Sequence, residues 1–120
     1  MKYRIATEGE EIVKKDYKKK VIFSLDDFDE PGHLLQVVTI PPNTRQRMHS
    51  HGVQTEVFFI LEGEATITIN DVDYLAGPGD AFICSPGDIH KLWNKTEADF
   101  RLVVFKNNLP EDGEDSYWQE

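Results

Sequence analysis

The segment His49-Ser50-His51-Gly52-Val53-Gln54-Thr55-Glu56-Val57-Phe58-Phe59-Ile60-Leu61-Glu62-Gly63 decides how the rest of the chain is read. Side chains alternate faces along an extended backbone, so His49 and His51, one residue apart, point the same way in a strand. Glu56 opens the hydrophobic run Val57 to Leu61, which reads as a second strand. Two imidazoles and a carboxylate brought together form a donor set for a divalent metal. A fourth donor is needed, and the candidate is His90. The competing reading is that these are polar residues on wet strand positions, with His90 nearby by chance.

His90 lies in the stretch Gly79-Asp80-Ala81-Phe82-Ile83-Cys84-Ser85-Pro86-Gly87-Asp88-Ile89-His90-Lys91-Leu92-Trp93-Asn94. Together the two stretches resemble the paired motifs of the cupin superfamily. The first motif, G-x5-H-x-H-x3–4-E-x6-G, is met by His49, His51, Glu56 and Gly63, with Asn43 at the leading glycine. The second, G-x5-P-x-G-x2-H-x3-N, is met by Gly79, Gly87, His90 and Asn94, with Ser85 at the proline and Pro86 one place later. Asn tolerates the left-handed backbone that a turn glycine supplies, so Asn43 can serve there. The resemblance covers roughly residues 33 to 106 and implies an all-β, jelly-roll double-stranded β-helix, the cupin barrel. It implies one divalent transition metal per chain (Mn, Fe, Ni or Zn) held by His49, His51, Glu56 and His90. In some relatives the equivalent glutamate also moves protons, so Glu56 is expected to be both ligand and catalytic group.

A chain of 120 residues is read as one domain, with a core over about 21–106, a charged N-terminal segment 1–20 and an acidic tail 107–120. With 39% hydrophobic residues the composition is globular. Thirteen basic against 22 acidic residues give a net charge of −9, which speaks against nucleic acid and anionic membrane as partners. No apolar run reaches spanning length and no signal-like stretch opens the sequence, so a cytoplasmic protein is expected. The single Cys84 excludes an intrachain disulfide and reads as a buried thiol.

Taken in order, Lys14, Lys15, Lys18, Lys19 and Lys20 surround Tyr17 and read as a strand edge protected from pairing, with a phosphate-binding patch as the sharper alternative. Short strands follow at Val21–Leu25, Leu34–Ile40, Gln46–His51, Glu56–Glu62, Ala65–Ile69, Val72–Leu75, Ala81–Cys84, Asp88–Asn94 and Phe100–Lys106. Turn residues at Pro41-Pro42-Asn43, Asn70-Asp71 and Gly77-Pro78-Gly79 separate them. His33 reads as a surface or pocket-rim histidine. In the tail, Tyr117 and Trp118 suggest docking onto the barrel or onto a neighbouring chain.

If the strand through residues 46–51 is regular, Arg45, Arg47, His49 and His51 share a face. Arg47 could then pair with a substrate carboxylate inside the barrel. Phe58 and Ile60 share the parity of Glu56 and should line the pocket. Val57, Phe59 and Leu61 should face outward, an apolar stripe that predicts a homodimer. A four-donor site on an ion that accepts about six ligands leaves room for a substrate chelating through two oxygens. The resemblance to cupins makes a metal-dependent, dioxygenase-like enzyme acting on a small molecule one reading. A non-catalytic small-ligand binding or sensing module, or a sugar isomerase or epimerase, is the other.

Overall fold

The computed structural model describes residues 1–113 and 115–119. Its strands are β1 (Ile12–Val13), β2 (Lys18–Phe23), β3 (Leu34–Ile40), β4 (Thr44–Arg45), β5 (His49–His51), β6 (Thr55–Glu62), β7 (Ala65–Ile69), β8 (Val72–Ala76), β9 (Ala81–Cys84), β10 (His90–Asn94), β11 (Phe100–Asn107) and β12 (Ser116–Trp118). A 3-10 turn at Leu25–Asp27 interrupts them, and no α-helix occurs among the described residues. One sheet runs β1-β2-β3-β11-β6-β9 and the other β12-β5-β10-β7-β8, with β4 beside β10. Two antiparallel sheets facing each other are a jelly roll, the fold class the motifs imply.

Register sorts the inward side chains from an apolar floor to a polar mouth. On the first sheet Phe100 lies opposite Ile40, and Leu102 sits between Val38 and Ile60. The next row is Gln36, Val104 and Phe58, and beyond it Lys106 lies opposite Glu56, which in turn faces Cys84. Ile67 and Leu92 pair across the other sheet and close the floor. Each fully buried Ile, Leu or Phe contributes roughly 1.5–3 kcal/mol, so this floor holds the sheets together while the mouth is left to polar groups.

The turns explain the motif residues that are not ligands. Asn43 has φ 52°, and Asn70 and Asp71 have φ 49° and 66°, the left-handed pair of a tight hairpin that forms here without glycine. Gly63 has φ +83°, and a Cβ there would stand 2.4 Å from Asp99 O. Asn94 is fully buried; its Nδ2 donates to Ile40 O, Pro41 O and Ala98 O at 3.0, 3.0 and 2.7 Å, tying the end of β10 to two loops.

Two expected elements differ. The strand expected over Val21–Leu25 is β2, Lys18–Phe23, starting three residues earlier because lysine stems pack along a sheet while their ammonium groups reach water. The strand expected over residues 46–51 is broken. Arg45 pairs with Trp93 and His49 with His90, so four steps on one strand oppose three on the other. That extra residue is a β-bulge, and it reverses which residues face inward. Arg45 and Arg47 are exposed, whereas Gln46, His49 and His51 line the cavity.

Candidate metal centre

Four donors converge at the mouth of the barrel. His49 and His51 alternate with outward Ser50 on β5, His90 opens the neighbouring β10, and Glu56 reaches across from β6. All four are buried, between 1% and 9% exposed, and one donor atom from each lies within 4.8 Å of every other. Nε2 of His51 and of His90 stand 2.5 and 3.2 Å from Glu56 Oε1. The rings of His49 and His90 are 4.3 Å apart.

The second nitrogen of each ring decides what the first can do. Nδ1 of His49, His51 and His90 lies 3.1, 3.1 and 3.0 Å from the backbone carbonyls of Arg47, Asp115 and Asp88. A carbonyl only accepts, so each neutral ring carries its proton on Nδ1 and presents an Nε2 lone pair to the centre. His51 Nε2 is buried and, despite the nearby carboxylate, makes no aligned hydrogen bond. Lone pairs and a carboxylate pointed at one buried place fit a divalent cation. The carbonyl partners are the second layer that orients metal-binding histidines. Gln54 joins this layer: its amide lies 3.2 Å from His51 Nδ1, and its Oε1 is buried without a partner. Exchanging the amide positions lets Oε1 accept from that same N–H.

Electrostatics keep the set ready for a cation. Burial lowers the His49 pKa to about 4, with His90 adding to the effect, so the ring is neutral at pH 7. Burial pushes the Glu56 carboxyl up, but an Nε2–H that His51 or His90 turns toward it while no cation is bound, together with the nearby Lys106, outweighs this and holds the group well below the usual carboxylate range. The Cys84 thiol is pushed up to about 12 by burial and by Glu56 and Asp88, which keeps it an unreactive neighbour.

Asp115 and Trp118, far along the chain, complete the centre. β12 pairs with β5, placing Trp118 opposite His49 with ring centroids 5.0 Å apart. The Asp115 carboxylate accepts from the backbone N–H groups of Val53 and Gln54 at 2.9 and 3.0 Å, so the tail braces the loop between the two ligand strands. The aromatic content of the tail signals its docking; nothing local marks Asp115.

Phe58 lines the cavity beside His90, at 5.9 Å between rings, while Ile60 sits deeper in the core. Arg47 lies outside, its guanidinium 4.5 Å above the Trp118 ring at the cavity rim. His33 is elsewhere, stacked on Phe105 at 5.7 Å. The cavity measures about 120 Å³, and the exposed Ser116 and Trp118 are among its lining residues. Three of its polar walls, Gln36, Gln46 and Lys106, are not marked by any motif.

The family model for the cupin domain matches residues 36–106. An oxidoreductase of Arthrobotrys oligospora is 36% identical over 58 residues, covering 48% of this chain and 23% of that protein. Germin-like protein subfamily T member 3 of Arabidopsis thaliana is 33% identical over 79 residues, covering 61% of this chain and 35% of that protein. The chain thus spans only 23% to 35% of the length of these curated relatives. Among solved structures, a predicted oxalate decarboxylase of Thermotoga maritima superposes with a TM-score of 0.77 at 21% identity, covering 89% of this chain and 98% of that one. At that identity the likeness is one of fold.

Proposed function

The chain belongs to the cupin domain family, and on that premise we propose that it is a small metal-dependent enzyme, dioxygenase-like, acting on a substrate that chelates through two oxygens. The observation that carries the reading is the set of three oriented histidine Nε2 atoms and one ionised carboxylate opening onto a cavity. His49, His51, Glu56 and His90 would hold Mn, Fe, Ni or Zn, and a bound ion would act as a Lewis acid that lowers the pKa of a substrate oxygen. Glu56 keeps the second role that the resemblance gives it, its carboxylate taking a proton from a bound substrate and returning it. Phe58 supplies an apolar wall that limits water, and Ile60 supports it from below. Arg47, on Trp118 at the rim, draws an anionic substrate toward the cavity. The oxidoreductase name of the Arthrobotrys relative supports this class.

The test begins with elemental analysis of protein purified without added metal, followed by oxygen uptake with keto-acids, diols and enols. About one ion per chain with turnover is expected. Equal metal content in wild type, His51→Ala and His90→Ala overturns the centre. Stoichiometric metal without any turnover leaves a binding or sensing module.

A homodimer belongs to the same proposal. Phe59, Leu61 and Ile83 are 46%, 40% and 63% exposed on the outer face of β6 and the edge strand β9. A second copy of this chain would bury this continuous apolar patch by symmetry. A monomeric mass by light scattering at micromolar concentration counts against it. No helix among the described residues is long and apolar enough to cross a membrane.

A further inference from the structure

The cavity has a polar wall that the metal donors do not use. Gln36 occupies a row of β3 whose neighbours are Val104 and Phe58, a position where an aliphatic residue would pack. It is only 5% exposed, lines the cavity, and its Oε1 has no hydrogen-bond partner. Gln46 Oε1, brought inward by the bulge, is also buried without a partner. Buried polar groups in folded proteins are paired almost without exception, so an unpaired one facing a cavity calls for a partner from outside the chain. One row nearer the mouth, Lys106 continues the inward series of β11 and lines the same cavity. It makes no ion pair within 4.0 Å among the described residues, because Glu56, its register partner, turns Oε1 to His51 and His90. Tyr17, from the turn before β2, stands on the same wall.

We propose that Gln36 and Lys106, with Gln46 and Tyr17 beside them, form a substrate subsite for a small hydroxy-carboxylate, the anionic oxygen drawn to Lys106 and a hydroxyl bonded to Gln36. A hydroxyl both donates and accepts, so it suits the carboxamide whichever of its ends faces the cavity. An ammonium held beside an apolar wall selects an anionic oxygen over a neutral one. The cavity, at about 120 Å³, falls below the roughly 300–1,000 Å³ of pockets for drug-sized ligands, which restricts the substrate to a few carbons. This assignment rests on the reading that the cavity in front of the four donors is the substrate site, and it deepens that reading by naming the substrate class.

Isothermal titration of zinc-loaded protein with glycerate, propionate and glycerol separates the contributions without turnover. Zinc content is measured on each sample. Wild type is expected to bind glycerate more tightly than propionate, which lacks the hydroxyls, and than glycerol, which lacks the carboxylate. Lys106→Met should weaken both acids by roughly tenfold or more and leave glycerol unchanged. Gln36→Met should erase the advantage of glycerate over propionate, and its melting temperature should hold or rise, since a buried unpaired group is removed. A purely structural Gln36 would instead lower the melting temperature. With zinc at one per chain throughout, wild type that shows no preference for glycerate, or variants that bind it like wild type, overturn the subsite alone. Wild type that fails to bind zinc overturns the metal reading, and the same titrations on metal-free protein then judge the subsite.

Discussion

Asp115→Ala tests whether the C-terminal strand is part of the metal centre. The carboxylate accepts two backbone hydrogen bonds, from Val53 at 2.9 Å and Gln54 at 3.0 Å, and its own carbonyl accepts from His51 Nδ1–H. Hydrogen bonds to an ionised group contribute roughly 1.5–3 kcal/mol each. Asp115 is only 7% exposed but lies shallowly, so water can replace part of what is lost and the lower figure applies. Two such bonds give about 3 kcal/mol of lost stability. For a domain of this size that is a fall in Tm of about 10 °C, measured by far-UV circular dichroism. Loosening β12 also loosens the carbonyl that orients His51, and loss of such a supporting contact weakens metal binding by about 10–100-fold. Chelator competition with zinc reads that number. Asp115→Asn keeps one acceptor oxygen and should fall between the two. A Tm within about 2 °C of wild type, with zinc affinity unchanged, would refute the reasoning that the tail braces the ligand loop.

Three further outcomes are expected. His51→Ala and His90→Ala should each lose most bound metal while keeping the β-sheet circular dichroism signal, because the apolar floor lies away from the ligands. Gly63→Ala should cost about 3 kcal/mol in urea denaturation, through left-handed strain plus a clash with Asp99 O. Metal-free protein should weaken as pH falls from about 6.5 to about 4. In that window the unfolded chain takes up a proton at His49 that the folded one refuses, so stability rises with pH. The span corresponds to about 3 kcal/mol from this residue, and His49→Leu should remove it from a series of urea midpoints.

Much of the centre was readable along the chain. The i, i+2 spacing of His49 and His51 places both rings on one face of any strand, and the two motifs supplied Glu56 and His90 by resemblance. Apolar, β-prone runs likewise identified β3, β6 and β11, and parity with Glu56 placed Phe58 and Ile60 inward and Phe59 and Leu61 outward. These features depend on the backbone period, which a few consecutive residues determine. What the sequence left open depends on which strands lie side by side. The bulge opposite β10 turned Gln46 inward and Arg47 outward, because parity changes when one strand of a pair carries an extra residue. Asp115 reached the loop at Val53 through a pairing of β12 with β5 that no local signal encodes. Lys106 and Gln36 looked like ordinary polar residues in apolar strands until register set one opposite Glu56 and the other on the row below. A strand's alternation is a local property of the chain; the neighbour that each face meets is decided only when distant strands pair and the barrel closes.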